Sequence, residues 1–98
     1  DLGVSGVRVA VVEGDDLLAR LPDLVASGHQ LHNMETGEPI GAVLDRVTNA
    51  NAYLGAAPVV EALRQDALIV LTGRIADAAL TLAPLIHEFG WAADDWDR

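Results

Sequence analysis

Cysteine and lysine are both absent from the 98 residues, and serine occurs only at Ser5 and Ser27. Without thiols there are no disulfides, no thiolate metal ligands and no cysteine nucleophile; without lysine there is no Schiff-base amine and no phosphate-loop lysine. Gly3-Val4-Ser5-Gly6 resembles a nucleophile elbow, but its second glycine falls one position early for G-x-S-x-G, which discounts a serine hydrolase. Positive charge is scarce as well. The formal charge is −9, and the six basic residues, Arg8, Arg20, Arg46, Arg64, Arg74 and Arg98, stand apart from one another. A phosphate backbone is gripped by a basic run or stripe, so no nucleic acid is expected as a partner. No apolar run approaches the ~20 residues of a membrane span, and no secretion signal opens the chain. No membrane association and a cytoplasmic location are the expectations.

What is present is apolar: 51% of the residues are hydrophobic, enough for one compact core at the short end of the domain range. The chain opens on Asp1-Leu2-Gly3 without a start methionine and stops at Asp94-Asp95-Trp96-Asp97-Arg98. Both ends predict a partial α/β domain over residues 1–98, cut from a longer chain.

Val7 to Val12 is β-branched and apolar and reads as a parallel strand buried on both faces. Glu13-Gly14-Asp15-Asp16 ends it. Leu17, Leu18, Leu21, Leu24 and Val25 then mark one helix face, with Asp15 or Asp16 as N-cap. Pro22 inside that pattern means a helix starting near it after a single turn, or a kink. From Ser27 to Pro39, Gly28, Asn33, Thr36-Gly37 and Pro39 predict a long loop. Residues 40–47 fit either a short helix or an extended segment. Pro58 opens an amphipathic helix with Val59, Val60 and Leu63 inward and Glu61, Arg64 and Gln65 outward. Leu68 to Thr72 reads as a central parallel strand ended by Gly73. Ile75, Ala79, Leu82, Ile86 and Phe89 form the stripe of a last helix lying on the sheet; Pro84 bends it, Gly90 caps it and Trp91 folds back onto its end. The order predicts a layered open α/β sheet with parallel strands and right-handed crossover helices.

In such a sheet ligands bind beyond the carboxyl ends of the strands, where N–H groups at the next helix N-terminus favour an anion. Thr72, Gly73 and Arg74 occupy that exit. Gly73 permits close approach, Arg74 can hold a carboxylate or phosphate with two hydrogen bonds, Thr72 can donate another, and Asp77 can orient Arg74 or coordinate a cation. The plain alternative is a simple turn with Arg74 paired to Asp77 on the surface. Asn49 and Asn51 share one side if the backbone is extended and can grip a carboxylate or thioester oxygen; capping or turning the chain ahead of Pro58 explains them as well. Glu13, Asp15 and Asp16 can approach Arg74 across the sheet edge if the two strands are neighbours, or bind a divalent cation through oxygen ligands, although helix capping accounts for Asp15 and Asp16. His29, His32 and Glu35 have ligand-like spacing but lie in a loop, so no metal is expected. Tyr53 reads as a packed ring with a wet hydroxyl, His87 as a half-buried residue near a helix end, and Asp94, Asp95 and Asp97 as a solvated tail.

Three blocks carry a resemblance: residues 47–56 (VTNANAYLGA), 69–77 (IVLTGRIAD) and 84–91 (PLIHEFGW). Together they resemble the acyclic terpene utilisation family, AtuA. Family members are several times longer, so the resemblance implies an internal slice of the N-terminal domain, without the glycine-rich opening region. One departure is visible: the resemblance leads to a Gly-Ala-Asp entry to the second strand, where this chain has Asp66-Ala67-Leu68. The family is associated with bacterial breakdown of branched terpenoid acids as coenzyme A thioesters. The implied partner is therefore an acyl-CoA or small carboxylic acid; the rest of the chain is a further expected partner, and a second copy in a homo-oligomer stays open. Whether the chain is an enzyme, its reaction and its cofactors stay open. The alternative is a non-catalytic structural or interaction module of a larger catabolic assembly, for example one docked beside a carboxylase.

Overall fold

A computed structural model describes residues 3, 5–95 and 97. Asp1, Leu2, Val4, Trp96 and Arg98 lie outside the described residues, and with them the chain's first residues, part of the elbow-like Gly3 to Gly6 and part of the acidic tail. The element order is β1 (Val9–Val12), α1 (Leu21–Ala26), α2 (Ala57–Arg64), β2 (Ile69–Thr72) and α3 (Ala79–Phe89), with 3-10 turns at Leu18–Arg20, Ile40–Ala42 and Leu44–Arg46.

Strands β1 and β2 pair in parallel, Val9 with Ile69 through Val12 with Thr72. The arrangement is α/β with an open sheet, as the alternation of elements predicts. Pro22 and Pro58 each fall within the first two positions of their helices, where a missing N–H breaks no intrahelical bond. The single turn ahead of α1 is the first of the two options that Pro22 left open. Residues 40–47 resolve into two 3-10 turns. The loop after α1 is tied by an antiparallel bridge between His32 and Pro39, around a turn in which Asn33 Oδ1 accepts from the Glu35 and Thr36 N–H groups.

The core lies where α2 meets one sheet face and α3. Val59, Val60 and Ala83 are buried, with Ala56, Leu63, Val70, Ile75 and Ile86 packed against them. Burying each valine contributes about 1.5–3 kcal/mol relative to leaving it exposed. The sequence alternates accordingly: Ala10, Val12, Val70 and Thr72 face the helix layer, while Val9, Val11, Ile69 and Leu71 point the other way and stay exposed. Within these 98 residues, then, both strands are covered on one face only, and β2 has β1 as its paired strand. A continuous apolar run marks a strand able to be covered twice; the coverage comes from other parts of a structure.

Two further corrections concern α3. It begins at Ala79 rather than near Ile75, because Ile75 continues the sheet: Leu54 and Ile75 form a parallel bridge, with the Leu54 N–H donating to the Arg74 carbonyl (3.2 Å) and the Ala76 N–H to the Leu54 carbonyl (2.9 Å). Its inward residues are Ala79, Ala83 and Ile86, packed chiefly on α2, whereas Leu82 and Phe89 of the predicted stripe are exposed. Small residues on that face allow close approach of the two helices. Gly90 caps α3 at φ 63°, and Trp91 folds back to stack on Phe89, ring centroids 5.6 Å apart. His87 is exposed rather than half-buried. Before β2, Asp66 adopts φ 58°, the left-handed conformation that glycine takes without a Cβ penalty. The Gly-Ala-Asp entry implied by the resemblance would place glycine at this position.

Among the described residues, no helix is long and apolar enough to cross a membrane.

Candidate functional site

The register Val12 to Thr72 brings the two strand exits side by side, and the Gly73 N–H closes the ladder on the Val12 carbonyl at 3.2 Å. One step further, the Asp15 carboxylate turns in towards β2. Its Oδ2 accepts from the Arg74 backbone N–H at 2.8 Å and from Asn51 Nδ2 at 3.1 Å. Asn51 is delivered by an antiparallel bridge to Asp16, in which the Leu17 N–H donates to Ala50 and the Ala52 N–H donates to Asp15, both at 2.8 Å. Residues 50–54 thus run across both exits, tied to the β1 side at Asn51 and to the β2 side at Leu54.

Gly73 is required by this arrangement. A Cβ built there would fall directly on the Asp15 carboxylate. The anion seat that the strand exit offers is therefore filled by the chain's own carboxylate. The Arg74 N–H, with smaller help from the Asn51 amide and the N–H groups of Asp15 and Asp16, holds the Asp15 carboxyl below its ordinary value; burial opposes this only in part. Asp16 does act locally, its Oδ1 accepting from the Leu18 N–H at 3.0 Å, but Asp15 is not the cap that its position suggested.

The expected site residues separate. Gly73, Arg74 and Asn51 come together, with Asp15 between them. The guanidinium of Arg74 lies over the Tyr53 ring, 5.9 Å from its centroid, at the outer range of a cation–π contact. Tyr53 is 67% exposed, not packed into the core. Among the described residues Arg74 makes no ion pair, so the surface pairing with Asp77 does not form. Asn49 and Asp77 are exposed and make no side-chain hydrogen bond among the described residues, so the two amides do not act as a pair. Thr72 is half-buried on the helix-facing side with Val70. Since α3 starts five residues after Arg74, the Arg74 N–H belongs to an extended segment and not to a helix N-terminus. Among the described residues, no group of three or more His, Asp or Glu side chains is placed to hold a metal ion.

The carboxylate clasp carries its own test. In the full-length protein, Asp15→Ala and Gly73→Ala remove the same contacts, so each is expected to lower the melting temperature near neutral pH, and the double variant is expected to fall no further than the larger single effect. Because the folded value is lowered, the stabilisation is present above the ordinary aspartate value of about 3.9 and is lost as pH falls through the lower folded value. The melting temperatures of the native chain and Asp15→Ala should therefore converge in acid; parallel curves down to low pH would assign the stabilisation elsewhere.

The model of the acyclic terpene utilisation family protein AtuA matches residues 1–98, the whole of the sequence. The chain belongs to this family. No curated protein and no solved structure gives a significant match.

Proposed function

We propose that this AtuA-family chain contributes the anion-holding part of a cytoplasmic protein of bacterial terpenoid or branched-chain acid catabolism, with Arg74 gripping the carboxylate of a small acid or an anionic group of its coenzyme A ester. The carrying observation is the exposed Arg74 guanidinium, set against Tyr53 at the exit of β2 and without a carboxylate partner among the described residues. Its backbone N–H is already satisfied by Asp15, which leaves the guanidinium as the group able to make two parallel bonds to an incoming carboxylate. In this reading Gly73 and Asn51 seat Asp15 and so fix the backbone from which Arg74 projects. In the same reading Thr72 and Asn49 are the further hydrogen-bond donors to the anion, and Asp77, which can only accept, orients Arg74 once the ligand is held.

Replacing Arg74 by Ala in the full-length protein tests this. Losing a charge-assisted contact of about 1.5–3 kcal/mol predicts roughly 10- to 100-fold weaker binding of an acyl-CoA or its acid. The melting temperature should scarcely move, because the side chain is exposed. Unchanged affinity and turnover would remove Arg74 from the site. The second reading, a non-catalytic module within a larger assembly, draws on a different observation: the bare apolar sheet face of Val9, Val11, Ile69 and Leu71, which suits burial against other protein.

A further inference from the structure

Among the described residues, β1 pairs with β2 along one edge only. The Arg8 carbonyl accepts from the Leu68 and Ile69 N–H groups and the Val12 carbonyl from Gly73, so backbone groups of the even-numbered residues turn towards β2. Those of Val9 and Val11 alternate with them and point to the opposite edge. A cleft of about 300 Å³ runs along that edge beneath α2. Residues 10–13 form one wall and Pro58, Glu61, Ala62 and Gln65, from one face of α2, the other; no residue of β2 takes part. Ala10 and Ala62 are small, which leaves room for a larger side chain between strand and helix. The rim is acidic: Glu13 and Glu61, both exposed, are the charged groups that line the cleft. Natural edge strands are guarded by a lysine, a proline or a bulge, and Val9–Val12 has none of these. Arg8, the charge that precedes the strand, is turned onto the Gln65 carbonyl at 2.8 Å.

We propose that a further strand of the full-length polypeptide adds along the free edge of β1, with an apolar side chain between Ala10 and Ala62 and a lysine or arginine set against Glu13 and Glu61. Charge selects this occupant. A two-fold contact with a second copy would present the same acidic rim from both sides, in a chain whose formal charge is already −9. An acidic strand would meet like charge, and a purely apolar one would crowd two carboxylates without pairing them. Main-chain bonds to Val9 and Val11 hold the added strand, and the cation fixes its register. A two-stranded sheet is a marginal unit, so the strand that extends it must be present whenever the protein is folded, which makes the same polypeptide its source. The surface is separate from Arg74 and does not rest on the reading of the β2 exit.

Hydrogen exchange resolved to single amides in the full-length protein tests this. The Val9 and Val11 amides should exchange as slowly as that of Val12, and equally slowly at every protein concentration. Replacing both acids, Glu13→Gln with Glu61→Gln, should speed exchange at Val9 and Val11 by roughly two- to ten-fold, the effect of losing a partly exposed ion pair. Ala10 and Val12, which β2 holds, should not follow. Glu88→Gln, an exposed acid on α3, is the control and should alter none of the four amides. Fast exchange at Val9 and Val11 in the native protein would overturn the proposal. So would protection that fades on dilution, which would assign the edge to another molecule, or protection to which the two acids make no selective difference, which would remove the cation.

Discussion

Replacing Ala83 by leucine in the full-length protein should lower its stability by about 1–3 kcal/mol, the cost of overpacking a filled helix contact, and its melting temperature accordingly. Ala83 is fully buried against Val59 and Val60, at the point where α3 approaches α2. Three added carbons have no room there unless the two helices move apart. Separation would uncover Val60, only 3% exposed, and widen the groove between the helices. Leu80→Gln on the same helix is the control: Leu80 is 66% exposed, so its replacement should change stability by no more than about 0.5 kcal/mol. Thermal melts of both variants check the pair of expectations. A small loss at Ala83 together with a large loss at Leu80 would mean that α3 turns a different face to α2.

That contrast also separates what sequence could show from what it could not. The α3 pattern predicts a helix and its cap correctly, because period and a glycine in the left-handed conformation are local properties. Its first residue and its buried face are not local. Ile75 fits the helical stripe perfectly well, yet its neighbours' backbone groups bond to Leu54, a partner some twenty positions upstream that no local period reveals. Leu82 and Phe89 fit the stripe too, but close helix contact selects the alanines.

The β2 exit shows the same division. Residue types there mark Gly73 and Arg74 as a place for an anionic ligand; what the structure puts against their backbone is the chain's own Asp15 carboxylate. That an acidic residue after β1 can reach Arg74 follows from parallel neighbours. That it takes the backbone N–H rather than the guanidinium depends on the register Val12 to Thr72 and on Asn51 being carried across by its bridge to Asp16. Both are long-range quantities. Asn49, alike in chemistry and two residues away, has no such bridge and stays in solvent.

The 98-residue chain by itself should unfold with little cooperativity, and the reason is the area it leaves wet. Its accessible surface is 7749 Å², against roughly 5,400 Å² for a compact monomer of 10.3 kDa. Its radius of gyration is 17.7 Å, where a compact domain of this length has about 13 Å. Much of the excess is apolar: Val9, Val11, Ile69 and Leu71 form one continuous face of a two-stranded sheet, each about half exposed. A two-stranded sheet covered on one side is a marginal unit in water. The expected result is a broad thermal transition, binding of a hydrophobic dye before melting, and a urea m-value at or below about 1 kcal/mol/M, the low end for small domains. Adding protein that covers the four residues should sharpen the transition and abolish dye binding, because the same side chains would then be removed from water. A steep transition with a larger m-value from the chain alone would show instead that β1 and β2 already bury this face in solution, and the assembly reading built on it would fail.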